Sequence, residues 1–219
     1  MENQTTIHDF CLNTFPEIFT KEQINKIFET IRQRKSRNDV VGEWIKARDL
    51  TMIKLCYELG LRPKEVCMLK LNDIDLKAKL VRVSPDGNKL KKGRIVPLPQ
   101  QVIPVLEHYL SFPRIQFWRF SNFLFPSLKN AHISRDRFSE LFRKILKEAG
   151  IYKEPTRGTH GHYSLYTLRH TKATEIYRKK KNPFIVADIL GHKTLESTKV
   201  YIHLNKLSNG YLDELRSAM

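Results

Sequence analysis

The sequence is short of acidic residues: 23 Asp and Glu stand against 39 Lys and Arg, leaving a formal charge of +16. It has no apolar run near the roughly 18 residues of a membrane span. Cysteine is scarce. Cys11, Cys56 and Cys67 are an odd set without metal-type spacing, which argues against a disulfide scaffold and a zinc site. Cys56 and Cys67 sit among apolar residues and read as buried thiols of a cytosolic protein. The opening MENQTTIHDF lacks the basic-then-apolar order of a signal peptide. No glycine-rich phosphate cradle suggests ATP use, and no serine elbow suggests a hydrolase. Internal repeats and low-complexity tracts are absent.

What is present is enough for a core: 41% hydrophobic and 10% aromatic residues over 219 positions, the size of one large domain or a domain with a short appendage. The positive charge is dispersed over IRQRKSR (31–37), NKLKKGR (88–94), SRDRF (134–138) and YRKKKN (177–182). Such a surface suits a polyanion met at several phosphates, with nucleic acid ahead of an anionic membrane. No strongly amphipathic basic helix supports the membrane alternative.

Residues 1–17 show no period and read as an arm. Thr20 caps a helix to about Arg34, with Ile24, Ile27, Phe28 and Ile31 on one face. After a turn at 36–39, a second helix is expected from Trp44 to Leu59, with Leu50, Ile53 and Tyr57 on one face, stopped by Gly60. Pro63 opens a short helix, PKEVCMLKL, broken at Asn72–Asp75. KLVRVS (79–84) and RIVPLP (94–99) read as an antiparallel hairpin with a basic tip, and FLFP (123–126) as an added edge strand. Gln101–Leu110 reads as helical. Ser134 caps a helix striped by Phe138, Leu141, Phe142, Ile145, Leu146 and Ala149, ending at Gly150. Thr167 is expected to cap a helix to about Lys180, Asn182-Pro183 to start one ending at Gly191, and Thr194 to cap one carrying Tyr201. The last residues form one more helix in this reading. The fold class is mainly α with a small antiparallel β-sheet.

Asp73 and Asp75 read as turn caps rather than magnesium ligands, and His160, His162 and His170 have no matching cysteines for zinc. The remaining pattern suits metal-free phosphodiester chemistry. That reaction needs a nucleophile, cationic donors around the phosphoryl oxygens, and an acid for the leaving 5′-oxygen. Arginine fits the second role and lysine or histidine the third. Arg62 falls at a helix junction, Arg169 in the first turn of its expected helix, Lys89 on the hairpin tip, His192 after a helix stop, and Tyr201 nine residues on.

These residues lie in segments that resemble the tyrosine recombinases, the phage integrase family. GLRPKEVCMLKLNDIDL (60–76) resembles the first-arginine box, GNKLKKGRIVPLP (87–99) the lysine-bearing hairpin, LYTLRHTKATEIY (165–177) the second-arginine box, and LGHKTLESTKVYIHL (190–204) the histidine-and-nucleophile box. The order is that of the family, and together the boxes span most of the chain. The resemblance implies a catalytic domain over 18–219 behind the 1–17 arm. It implies that Tyr201 forms a 3′-phosphotyrosyl bond and frees a 5′-hydroxyl, that Arg62 and Arg169 stabilise the pentacoordinate phosphorus, and that Lys89 is the general acid. His192 supports the site, and Glu65 orients Arg62 from three positions on. Lys91, Lys92, Arg94, His170 and Lys193 are expected DNA contacts. Religation by a 5′-hydroxyl conserves the bond energy, so no metal or other cofactor is implied.

Two departures stand out. The family's histidine three before the second arginine is Tyr166 here, a candidate supporting residue that can hydrogen-bond a phosphate or the nucleophile; a phenol is a poor proton shuttle near neutrality, which leaves His162 or His170 to assist. The resemblance begins near Phe19, so the family's usual N-terminal DNA-clamping domain is expected to be absent, as in short members such as fimbrial phase-switch invertases. The expected activity is site-specific integration, excision or inversion in the cytoplasm, by a homo-tetramer on two duplex DNA sites, with a helper DNA-binding protein as a further partner. A C-terminal helix with Leu204, Leu207, Tyr211, Leu212 and Leu215 would dock on a neighbouring protomer. The rivals are a type IB topoisomerase-like relaxing enzyme and a DNA-binding regulator that has lost turnover.

Overall fold

The computed structural model describes residues 16–35, 39–85, 93–113, 121–127, 131–154, 162–192 and 194–208, with the backbone alone for 203–208. The first helix, α1 (Lys21–Gln33), begins at the expected cap: Thr20 Oγ1 accepts from the Gln23 amide, and Gln23 Oε1 accepts from the Thr20 amide. Its buried face is Ile24, Ile27, Phe28 and Ile31.

The second helix, α2 (Val40–Glu58), starts four residues before the expected Trp44. Asp39 is the reason. Its Oδ1 accepts from the Gly42 amide at 2.6 Å, a cap hidden in sequence by the strand-like Val40-Val41 pair. The helix has no single apolar face. Trp44, Ala47, Met52, Ile53, Leu55 and Cys56 are buried on different sides, whereas Leu50 is only half-buried. Helix α3 (Pro63–Met68) is shorter than expected, and a 3₁₀ turn at Leu71–Asp73 follows it.

Asn72–Asp75 is more than a break. Ile74–Asp75 is strand β1, which pairs antiparallel with β2 (Leu80–Val83), and β2 pairs antiparallel with β3 (Arg94–Pro97). The sheet order is β1-β2-β3, with Val81, Val83 and Val96 turned into the core. The hairpin tip 86–92 lies outside the described residues. FLFP is not an edge strand of this sheet. Phe123 makes one isolated bridge to Lys70, while Leu124 and Phe125 point into the core. Asp73 and Asp75 accept from the backbone amides of Lys70 and Ala78, as turn caps do.

Helices α4 (Ile103–Ser111) and α5 (Arg135–Glu148) follow the expected spans. Ser134 caps α5, which buries Phe138, Phe142, Ile145 and Leu146. Helix α6 (Leu165–Lys180) starts earlier than expected. Ser164 is its cap, and Thr167 is the third helical residue, whose Oγ1 accepts from the Ser164 amide. This shift moves Arg169 into the second turn. Helix α7 (Pro183–Leu190) has the expected Asn182 cap and ends at Gly191 in the left-handed conformation. Helix α8 (Glu196–Ser208) begins two residues after Thr194, with the Leu195 carbonyl accepting from Thr198 and Lys199 amides.

The main core joins α1–α5, the sheet and the start of α6. A second, smaller cluster joins Ala173 of α6, Val186 and Leu190 of α7, and Tyr201 of α8. No helix among the described residues is long and apolar enough to cross a membrane.

Candidate active site

Arg169 sits where two helix ends meet. Its side chain is buried and donates to the carbonyls of Gly60, just past α2, and Leu190, the last residue of α7. Terminal carbonyls lack helical partners and carry partial negative charge, so a guanidinium is well placed there. Burial and the nearby Arg62 pull Arg169 down to about 10, which leaves it charged near neutrality. Arg62 caps α3 and donates from Nη2 to the Gly191 carbonyl at 3.4 Å. A guanidinium has five donors, so donors remain for an anion after these bonds.

Glu65 ties Arg62 in place. Its Oε2 accepts from the Arg62 amide, and its Oε1 accepts from Arg62 Nη1, each at 2.8 Å. These are contacts of the kind that the resemblance implies for residue 65, three positions after Arg62. The same carboxylate also pairs with Arg94 of β3. Burial opposes the charge, but the bonds and fields of Arg94 and Arg62 outweigh it and hold the carboxyl below its ordinary range. Arg94 therefore does not face outward as the expected DNA contact. Its side chain is 10% exposed, and its Nε donates to the Ile189 carbonyl.

Tyr201 completes the group from α8. It is 2% exposed, seated on Ala173, Val186 and Leu190. Its ring stacks on His192, with centroids 6.2 Å apart and planes at 15°. His192 Nδ1 meets Thr198 Oγ1 at 2.8 Å, one turn before the tyrosine. The Tyr201 hydroxyl meets Nδ1 of His170 at 3.0 Å. Burial raises the phenol above its ordinary value, and Arg169 and Arg62 only partly offset that. Burial first, and then Arg169, push both His170 and His192 down to about 4, so each is neutral at pH 7.

The structure thus brings together Tyr201, Arg62, Arg169, His192 and Glu65. His170, expected as a DNA contact, is turned inward against the tyrosine. Tyr166 is 44% exposed and makes no hydrogen bond among the described residues. Lys89, Lys91, Lys92 and Lys193 lie outside the described residues, as do the side chains of Leu204 and Leu207 and all of Tyr211, Leu212 and Leu215. Sequence reasoning missed Thr198 and the four carbonyls, of Gly60, Ile189, Leu190 and Gly191, that hold the arginines. The glycines ending α2 and α7 were the available signal, because such stops leave carbonyls open.

The buried tyrosine thus meets one histidine, stacks on a second and lies in the field of two arginines. The phage integrase family profile matches residues 17–208. The chain belongs to the phage integrase family. Among curated relatives, a tyrosine recombinase of Thermosipho africanus is 29% identical over 90% of this chain and 60% of its own length. The tyrosine recombinase XerD of Proteus mirabilis is 32% identical over 75% of this chain and 50% of its own. This integrase-family chain therefore spans about half to three-fifths of those relatives. In fold it resembles the XerH site-specific recombinase bound to palindromic difH substrate, with a TM-score of 0.73 and 24% identity over 93% of this chain and 53% of that one. The integrase-family match includes all four arginine, lysine and histidine–tyrosine segments singled out in the sequence.

Proposed function

We propose that this chain is a site-specific DNA recombinase that cuts and rejoins duplex DNA through Tyr201. The observation that carries the reading is the buried Tyr201, its hydroxyl on His170, its ring on His192 and the charges of Arg169 and Arg62 acting on it. In the proposed reaction, Tyr201 attacks a phosphodiester, forming a 3′-phosphotyrosyl bond and expelling the 5′-oxygen. Arg62 and Arg169 bind the phosphoryl oxygens and stabilise the charge that gathers there. Glu65 holds Arg62 at its angle, with Arg94 bracing the same carboxylate. His192 stacks on the nucleophile and fixes its ring. Lys89 protonates the leaving 5′-oxygen in this reading. Attack by another strand's 5′-hydroxyl then reverses the steps, without metal or nucleotide.

Duplex DNA as the partner is supported by the charge of +16 and by the DNA substrate bound in the related XerH structure. A homo-tetramer on two sites is the assembly that exchange requires. Integration, excision or inversion are the outcomes open to it. A second reading, a DNA-binding regulator without turnover, is favoured by Tyr166, which occupies the usual histidine position and stands exposed.

The deciding experiment captures covalent protein–DNA adducts from cells expressing the chain and sequences the attached ends, with Tyr201→Phe in parallel. Adducts at one recurring sequence, absent from the variant, are expected. Scattered adducts would point to a relaxing enzyme. No adduct in either sample would favour the regulator.

A further inference from the structure

His170 follows Arg169 directly and presents Nδ1 to the Tyr201 hydroxyl. We propose that His170 is a catalytic base that takes the phenolic proton as Tyr201 attacks the phosphodiester, a role that rests on the tyrosine-nucleophile reading above.

The geometry comes first. The 3.0 Å contact is within the reach required of a general base, and it is the hydrogen bond the Tyr201 hydroxyl makes among the described residues. His192 is differently engaged: its ring stacks on the tyrosine while its Nδ1 is taken by Thr198. Tyr166, in the position where the family usually has histidine, is exposed, and a neutral phenol is a far weaker base than imidazole. Arginine stays protonated and cannot accept. Imidazole at residue 170 is thus the acceptor in contact with the nucleophile.

The proton also has somewhere to go. His170 helps line a cavity of about 310 Å³, together with Glu17, His162, Ser164 and Tyr166. That cavity gives the imidazole a second, polar side through which the proton can exchange with solvent.

The step balances. Tyr201 Oη forms its bond to phosphorus as its proton passes to His170 Nδ1, giving an imidazolium. The bond from phosphorus to the 5′-oxygen breaks, and that oxygen takes a proton from the general acid. Religation returns the proton from His170 to the departing tyrosine. Acceptance at Nδ1 requires the tautomer with hydrogen on Nε2.

The charged and titratable groups around His170 are Arg169 on its own helix, Tyr201 from α8, His192 from the turn before α8, and Glu17, His162 and Tyr166 around the cavity. Burial and Arg169 hold the empty-site imidazole neutral and weakly basic. An incoming phosphodiester sets negative charge against Arg169 and Arg62. It thereby offsets the field that depresses His170 and strengthens the base when it is needed.

The test has two arms on the full chain. Nitrogen-edited imidazole spectra of the DNA-free protein should show His170 in the Nε2–H form near pH 7, with its Nδ1 signal shifting in Tyr201→Phe. The opposite tautomer would overturn the proposal. The second arm uses a nicked duplex carrying the sequence recovered from covalent adducts. His170→Gln keeps an amide oxygen for the tyrosine but cannot carry its proton. It should bind the duplex normally, cut about 10²–10⁴-fold more slowly, and lose the high-pH plateau, its rate instead rising in proportion to hydroxide. Cutting within threefold of the unaltered chain, or an unchanged pH profile, overturns the proposal while leaving the recombinase reading intact. If the unaltered chain forms no adduct on any DNA, the recombinase reading falls and the base falls with it.

Discussion

Arg94 and Glu65 meet as a two-pronged pair, Nη1 on Oε1 at 2.8 Å and Nη2 on Oε2 at 2.9 Å, between β3 and α3. The strand that carries the hairpin is thereby locked to the helix that carries Arg62. The carboxylate serves both cations and is fully covered by protein.

Replacing Glu65 by Gln leaves two guanidinium groups facing an amide. Breaking one partner out of a buried charged pair costs on the order of 3–5 kcal/mol, so urea unfolding of Glu65→Gln at pH 7 should show a loss of that size. The acid side follows from the lowered carboxyl. Its contribution is fully present above the unfolded value, about 4.3, and is lost as pH falls through the lower folded value. The Gln variant should lack that part of the acid transition.

Gly191 has φ +67, and a Cβ there would sit 2.9 Å from Arg94 Cδ and 3.0 Å from its Nη1. Gly191→Ala should therefore displace Arg94 from Glu65 as well as strain the backbone. Gly150 is the control: its φ is +65, but the nearest atom to an added Cβ is Lys26 Nζ at 3.9 Å. Gly150→Ala should cost about 1 kcal/mol, the price of the backbone alone, and Gly191→Ala clearly more. Equal losses in thermal unfolding would contradict the crowding at Gly191.

His170 and His192 give the protein a second pH dependence. Both titrate near 4 when folded and near 6.5 as free imidazoles. Between those values the unfolded chain binds more protons, so stability is present above pH 6.5 and drains away as pH falls towards 4. For His170, half-buried at the edge of its cavity, the full effect is on the order of 3 kcal/mol. Urea midpoints measured from pH 7 to pH 5 should fall in the unaltered chain and fall less in His170→Gln.

Cys56 and Cys67 should be silent to thiol reagents while the protein is folded. Both are buried, and burial pushes the Cys56 thiol up and the Cys67 thiol up to about 12. Iodoacetamide labelling of these two should track unfolding in urea rather than reagent concentration. Rapid labelling of either in the native chain would show that its cover opens locally.

Much of this architecture is legible in the sequence because local signals dominate it. Thr20, Ser134 and Asn182 announce their helices through caps, and Phe138 to Leu146 announce a stripe. The start of helix α2 is not legible, because its burial on several sides erases the amphipathic period that marks a boundary. The two-residue strand at Ile74–Asp75 is too short to show alternation and exists through pairing with β2. The site shows the same division. Arg62, Glu65, Arg169, His192 and Tyr201, which the resemblance singles out, lie close together in the fold. The inward turn of Arg94 and His170 is not legible, because a basic residue on an element end can point either way and only tertiary contacts with Glu65 and Tyr201 decide it.

Tyr201 rests on the smaller cluster of Ala173, Val186 and Leu190 instead of the main core. Among the described residues, Val200 of the same helix packs on this cluster and Thr198 is buried, so the seat of the tyrosine is built apart from the main core and can open at a cost below that of global unfolding. Under the proposed function, the rate of strand cutting would then be separable from the durability of the fold: substitutions in the smaller cluster act on the seat of the tyrosine, and substitutions in the main core act on how long the protein survives.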